Sequence, residues 1–232
     1  MPPTDAKKIF ALKIARKLKE HYPDPKTELN FENERQLVIA VVLSVQTTDV
    51  KVNEITPTLF TKYTSWKDFA NTSAADLQED IYGVNFHKTK ARRLIGIAKK
   101  VIKDFGGQLP RDIKELTEFS GIARKSANVI LQELWGISQG VVVDTHVKRV
   151  SNRLGLVATT NPKKIEEELM ALLPKEYWRN YSGAVVFHGR YVCTARKTPE
   201  CSGCFLRIFV HLHLLLITEI FLPIACKNRS PA

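Results

Sequence analysis

Acidic side chains are scarce relative to basic ones in this chain. Asp and Glu together number 24 against 35 for Lys and Arg, which leaves a formal net charge of +11 over 232 residues. This shortage of negative charge favours a polyanionic partner, of which nucleic acid is the first candidate. A cationic surface on a protein that binds no nucleic acid is the alternative, and charge alone leaves both interpretations open.

The first twenty residues lack a sustained apolar core before a small-residue cleavage site. They have the pattern of a Lys-rich amphipathic helix, so we expect no signal peptide and a cytoplasmic location. Cysteine is also scarce, with four residues in all. Cys193, Cys201 and Cys204 are clustered and Cys226 lies apart, and in a reducing compartment such a set favours a metal site over a disulfide framework.

Long stretches of β-type alternation are absent, and apolar residues recur at helical spacing almost throughout, which predicts an all-α fold. The continuous apolar run from Leu37 to Leu43 is predicted to be a buried helix, with a buried strand as the minority alternative. Val141 to Val143 is too short to found a sheet. We find no internal repeat and no low-complexity tract.

Turn-forming residues suggest two helical lobes. Prolines and polar residues fall between 21 and 30, and glycines fall between 136 and 140. We therefore expect a central helical domain at 27–137. Residues 1–26 together with 138–232 are expected to form a second lobe, with a cleft between the two.

The segment from Leu116 to Leu131 predicts a helix, a tight turn at 120–123 and a second helix. Arg124 and Lys125 then lie in the first turn of that second helix, where backbone N–H groups can hold a phosphate. The positive end of the helix dipole favours a neutral amine there, and a neutral amine can attack carbon. Lys125 is therefore either a phosphate contact or an amine nucleophile.

Asp144 follows the apolar run at 141–143 and opens another helical pattern. One interpretation is a helix N-cap. The other is a carboxylate that works beside an amine nucleophile, where it would stabilise a developing cationic sugar and move protons.

Five ordered segments resemble the helix-hairpin-helix DNA glycosylase superfamily, and within it the endonuclease III family. The resemblance covers residues from about 30 to 204. The matching segments are Leu43–Asp49, Phe86–Ala91, Ser120–Ala127, Val143–His146 with Arg149, and His188–Tyr191 leading into Cys193.

The resemblance implies a two-lobed all-helical fold that binds double-stranded DNA containing damaged pyrimidines or abasic sites in its cleft, as a monomer associated with the bacterial nucleoid. A damaged base would be flipped out of the stack. Lys125 would attack the sugar, Asp144 would assist base departure and later proton transfers, and β-elimination would nick the strand. Gln46 matches the glutamine that fills the vacated place in the duplex.

Further DNA contacts are implied by the same segments and by the basic loop that precedes Cys201. They are Thr47, Lys90, Gly121, Ala123, Arg124, Ser126, His146, Arg149, Arg196 and Lys197. Two alternatives remain open. The chain could be a DNA-binding protein without catalysis, or a glycosylase of the same superfamily directed at mismatches or pyrimidine dimers.

Two positions depart from the pattern of the superfamily. Ala123 stands in the hairpin where glycine is usual, and alanine tolerates positive φ poorly, so we expect a small change in turn geometry. Asn85 stands before Phe86 where relatives often carry glycine. Asn is the least costly replacement in a left-handed conformation, so we expect that loop to be kept.

The cysteine pattern resembles the first three ligands of the superfamily's [4Fe–4S] loop. The interval from Cys193 to Cys201 is one residue longer than usual, and Val210 occupies the place expected for the fourth ligand. Only Cys226 remains as a candidate for it. The four cysteines could hold an iron–sulfur cluster, a zinc ion or no metal.

Residues 205–232 form an apolar tail unlike that of the superfamily. Of the 21 residues from 205 to 225, 15 are apolar, but charged residues, histidines and a proline interrupt the run, so a membrane span is disfavoured. A frame change after Arg207 is our favoured hypothesis for its origin.

Overall fold

The computed structural model describes residues 3–195 and 201–210. Their regular structure is helical, without a β-strand, which confirms the predicted all-α class. In chain order the helices are α1 (Asp5–His21), α2 (Glu34–Ser44), α3 (Asp49–Lys62), α4 (Trp66–Asn71), α5 (Ala74–Asp80), α6 (His87–Phe105), α7 (Ile113–Thr117), α8 (Arg124–Trp135), α9 (Thr145–Arg153), α10 (Pro162–Leu172) and α11 (Lys175–Tyr191). Among the described residues, no helix is both long enough and apolar enough to cross a membrane.

The chain divides into two compact units. Residues 27–139 form one, which contains α2 to α8 and is called the hairpin unit below. The described residues within 1–26 and 140–232 form the other. It contains α1 and α9 to α11 and is called the cysteine unit.

Helix α2 is the centre of the hairpin unit. Every residue from Gln36 to Leu43 is buried, so the helix is apolar on all sides and has no solvent-facing stripe. It packs against α3, α6 and α8. The side chain of Asn33 accepts a hydrogen bond from the Gln36 N–H and caps its start. The buried helix predicted for residues 37–43 is confirmed.

Helix α8 packs against α2 through one apolar face. Ala127, Ile130 and Leu131 are fully buried, whereas Arg124 and Lys125 in the first turn are exposed. The helix ends at Gly136, whose φ of +66° is the left-handed conformation that glycine adopts at helix ends. Burial of one face thus holds the first turn of α8 at the surface.

In the cysteine unit, α11 packs against α1 and α9. Tyr181 on α11 is fully buried, and its hydroxyl lies 2.8 Å from that of Ser151 on α9. Gly189 lets α11 pack close to α9, because a Cβ at this position would lie 2.8 Å from Cβ of His146 on α9. These contacts fix α9, and with it Asp144, against α11.

We predict that Leu131→Ala lowers the free energy of unfolding by about 2–5 kcal/mol, because it leaves a cavity between α8 and α2. Val50→Ala is the matched control, since Val50 is 70% exposed, and we expect it to change stability by less than about 0.5 kcal/mol. Urea unfolding followed by far-UV circular dichroism measures both. Equal effects of the two substitutions would contradict the assigned core.

Candidate functional site

A tight turn joins α7 to α8. Gly121 has a φ of +96°, a conformation that residues with a side chain rarely adopt, and a Cβ there would lie 2.7 Å from Cδ of Arg93. Ala123 has φ −79° and ψ 167°, which is extended backbone open to any residue. Alanine is therefore tolerated at position 123, because this turn has positive φ only at Gly121.

The first turn of α8 has no side-chain cap, because its N-cap residue is Ala123. The backbone N–H groups of this turn are therefore not capped by the N-cap side chain, and together with the helix dipole they favour an anion. Lys125 and Arg124 are exposed here, and an Arg124 Nη2 donates to the Gln139 carbonyl at 3.2 Å. Ser126 in the same turn is only 7% exposed.

Asp144 caps α9. Its Oδ1 accepts a hydrogen bond of 2.8 Å from the Val147 N–H, and the residue is half-buried in extended backbone. Asp144 is therefore the N-cap of α9, which is one of the two roles predicted for it from the sequence. The cap engages Oδ1, so Oδ2 of the same carboxylate can serve chemistry while the cap is kept.

The loop between α2 and α3 carries Gln46 and Thr47. Gln46 is exposed and has a φ of +56°. Asn85 holds this loop twice, because its side-chain amide donates to the Gln46 carbonyl and its backbone N–H donates to Thr47 Oγ1 at 3.2 Å. The left-handed conformation expected at Asn85 lies instead at Phe86, whose φ is +59°.

Phe86 is a candidate residue that the sequence analysis did not single out. It is 63% exposed, and it stands beside Asn85, whose side chain reaches the Gln46 carbonyl. Gln46 and Phe86 are the two non-glycine residues with positive φ within the described ranges. Backbone strain of this kind costs about 1–3 kcal/mol and clusters at functional sites. The motif at Phe86–Ala91 was the signal that could have found it.

Lys90, which was predicted to contact DNA, lies buried beneath the loop that carries Gln46. The residue is 2% exposed. Its ammonium donates to three protein oxygens, the Leu43 carbonyl at 2.7 Å, the Val45 carbonyl at 2.6 Å and Thr47 Oγ1 at 3.0 Å. Burial, and secondarily the charge of Arg93, lower the pKa of Lys90 to about 8.

His146 and Arg149 lie on α9 in the cysteine unit, and both are half-buried. An Arg149 Nη2 donates to the Gly189 carbonyl at 2.7 Å and to the Cys193 carbonyl at 3.0 Å, and it lies 3.3 Å from His146 Nδ1. Its guanidinium therefore binds the carbonyl end of α11, where a cation is stabilised by the helix dipole. Arg196, Lys197 and Cys226 lie outside the described residues.

Cys193, Cys201 and Cys204 line one cavity together with His188. The Cys204 sulfur lies 3.5 Å from His188 Nε2, and Arg153 donates to the Cys193 sulfur at 3.2 Å. His188 is 2% exposed, and burial lowers its pKa to about 4, with a further contribution from His21, so the ring is neutral near pH 7.

Val210 lines the same cavity at the place expected for a fourth thiolate. Across residues 3–195 and 201–210, no three His, Cys, Asp or Glu side chains are arranged to hold a metal ion. The described residues therefore do not fit a cluster held by four thiolates. The sequence analysis assigned no role to His188, which is a buried polar group on this cavity.

Comparison with known proteins agrees with these features. Residues 39–175 match the family described as HhH-GPD superfamily base excision DNA repair protein. The chain is 42% identical over 199 residues to Endonuclease III of Synechocystis, covering 86% of this chain and 90% of that one. Endonuclease III of Escherichia coli is 36% identical over 206 residues, covering 86% and 93%.

Solved structures are similar over the same length. A trapped covalent intermediate of Endonuclease III with DNA matches with a TM-score of 0.80 and 36% identity, covering 86% of this chain and 93% of that one. A non-covalent Endonuclease III–DNA complex matches with a TM-score of 0.82 and 34% identity, covering 91% and 98%.

We predict that Asp144→Ala lowers the free energy of unfolding by about 1 kcal/mol, because the Val147 N–H loses its acceptor. Asp144→Asn keeps a cap oxygen, and we expect stability within a few tenths of a kcal/mol of the parent. Denaturant unfolding of the three proteins measures the difference. If Asn and Ala destabilise equally, the carboxylate does not act as a cap.

Proposed function

The chain belongs to the HhH-GPD superfamily of base excision DNA repair proteins, and we propose that it is a DNA glycosylase with lyase activity whose nucleophile is Lys125. One observation carries the assignment of the nucleophile. Lys125 is an exposed lysine in the first turn of an uncapped helix, directly after the turn that Gly121 forms. The likeness to an Endonuclease III trapped in covalent linkage with DNA supports the same chemistry.

The hairpin supplies the first contact with DNA. The uncapped amides at the start of α8 and the neighbouring Arg124 present positive charge to a phosphate without reading sequence. A phosphate held there places its sugar near the lysine of the same turn. Because that sugar carbon is inaccessible inside a stacked duplex, the nucleotide has to leave the stack before it reacts.

Lys125 Nζ then bonds to C1′ while the glycosidic C1′–N bond breaks, and the base leaves with the electron pair and takes up a proton. Opening of the sugar ring gives a Schiff base between Nζ and C1′. Loss of a proton from C2′ expels the 3′ phosphate and cuts the strand. Water finally hydrolyses the Schiff base and frees the amine.

Asp144 is proposed to serve the proton transfers of this sequence. Its carboxylate takes the proton that Lys125 loses and stabilises positive charge on the sugar as the base departs. The cap to Val147 fixes the orientation of the carboxyl group. General acid–base groups of this kind contribute about 10²–10⁴-fold to the rate.

Gln46 and Phe86 are proposed to occupy the duplex after the base has left. An exposed amide can hydrogen-bond to the bases that remain, and an exposed aromatic ring can stack on them and offset the cost of unstacking. The hydrogen bond from Asn85 to Gln46 holds the two loops together.

Oxidised pyrimidines and abasic sites are the proposed substrates, in keeping with the Endonuclease III relatives. A purely DNA-binding role is not favoured, because the relatives that cover most of the chain are Endonuclease III proteins. A preference for mismatches or pyrimidine dimers has no observation in its favour. A panel of duplexes carrying single lesions measures the preference.

We predict that sodium borohydride traps the protein on duplex DNA with an abasic site, because the reagent reduces the Schiff base to a stable amine. Lys125→Ala removes the nucleophile and abolishes the adduct. Lys67→Ala changes an exposed lysine on α4 and serves as the matched control, with trapping expected at the parent level. Gel electrophoresis under denaturing conditions measures the adduct. If the parent protein binds this DNA but forms no adduct, the result contradicts the proposed activity.

We predict that DNA affinity falls with salt, because each neutralised phosphate releases counterions and contributes about −0.9 to the slope of log K against log salt. Arg124→Ala reduces the magnitude of this slope by about one unit, and Lys67→Ala leaves it unchanged. Fluorescence anisotropy with labelled duplex between low and moderate salt measures both. Affinity independent of salt would contradict a phosphate-binding hairpin.

A further inference from the structure

Lys90 is a buried cation without a carboxylate partner among its hydrogen bonds. Lysine is rarely buried unless it is paired. An ammonium has three donors, and here each meets a neutral oxygen, so the hydrogen-bonding capacity of the group is filled by the protein. All three acceptors belong to residues 43–47, which form the end of α2 and the loop that follows it.

Packing alone does not explain this arrangement. An apolar side chain of similar length would fill the same space. It would also avoid the free-energy cost of burying a charge. The lowered pKa of Lys90 reflects that cost. What an apolar side chain lacks is the ability to bind several oxygens from one point.

The three acceptors lie on both sides of Gln46. The Val45 carbonyl precedes it and Thr47 Oγ1 follows it, and one nitrogen binds both. Gln46 between them has a φ of +56°, a conformation that persists only when its surroundings hold it in place. The third acceptor, the Leu43 carbonyl, belongs to the last turn of α2, where a cation is favoured by the helix dipole.

We infer that Lys90 is a positioning residue, whose ammonium clamps the α2–α3 loop on both sides of Gln46 so that Gln46 is presented to the duplex. The inference rests on the proposed function, since it assigns Lys90 a part in filling the vacated place in DNA. It gives Lys90 an indirect role in place of the DNA contact expected from the sequence.

The effect of the clamp is expected only on duplex DNA, where Gln46 has a vacated place to fill. Single-stranded DNA with an abasic site offers the same sugar to Lys125 but has no paired stack for Gln46 to enter. Loss of the clamp should therefore slow the reaction on duplex DNA and spare the reaction on the single strand. A residue needed only for folding would affect both substrates equally.

The test is the single-turnover rate of Schiff-base trapping on duplex and on single-stranded abasic DNA, for the full chain. For Lys90→Met we expect about a tenfold loss on duplex DNA, as for about 1.4 kcal/mol of lost positioning, and less than about twofold on the single strand. Lys99→Met changes an exposed lysine on the same helix and should leave both rates near the parent values.

The double variant Gln46→Ala with Lys90→Met tests whether Lys90 acts on the reaction through Gln46. If Lys90 acts through Gln46, the double variant is no slower on duplex DNA than Gln46→Ala alone. Additive losses, or equal losses on duplex and single strand, overturn the inference. A fall in the salt slope of duplex affinity by about one unit for Lys90→Met would instead assign a phosphate contact and also overturn it.

Should Lys90→Met fail to fold, Thr47→Val removes one of the three acceptors at nearly constant volume and should reduce the duplex rate selectively, by a smaller factor. An unchanged duplex rate would overturn the inference. The proposed function fails in a different way, because the parent protein would then form no adduct on either substrate.

Discussion

Burial of α2 on every side is the constraint on which the hairpin unit depends. A helix without a solvent-facing stripe needs neighbours all round, and α3, α6 and α8 supply them. Its ends still carry unpaired backbone groups that have to be satisfied. Asn33 accepts a hydrogen bond from a backbone N–H at the start of α2, and Lys90 donates one to a backbone carbonyl at its end. Burial of α2 thereby also determines the contacts of the loop that carries Gln46.

The same helix governs the position of the proposed nucleophile. One face of α8 is buried against α2, which leaves its first turn at the surface with Arg124 and Lys125 exposed. This turn has no side-chain cap, whereas Asp144 caps α9. An uncapped helix start suits an anionic ligand, and a capped one suits a carboxylate that has to stay in one orientation. The hairpin unit positions Lys125, and the cysteine unit positions Asp144.

The thiols of the cysteine unit depart from the pattern that the resemblance implied. Three cysteines and His188 line a cavity, but Val210 stands where a fourth thiolate is expected. Arg153 and Arg149 both bind the backbone near Cys193, so the positive charge of this region is directed at the end of α11.

The sequence by itself determined the all-α class, the buried helix at 37–43, the hairpin and the superfamily, because these follow from local periodicity, turn residues and ordered motifs. Tertiary structure decided the rest. It buried Lys90 and bound its ammonium to three oxygens of residues 43–47, it directed Arg149 to the Gly189 carbonyl of α11, and it placed positive φ at Phe86 rather than at Asn85. The physical reason is that a motif records which side chains are present, while the partner of each charge depends on which oxygens the packed helices bring within reach.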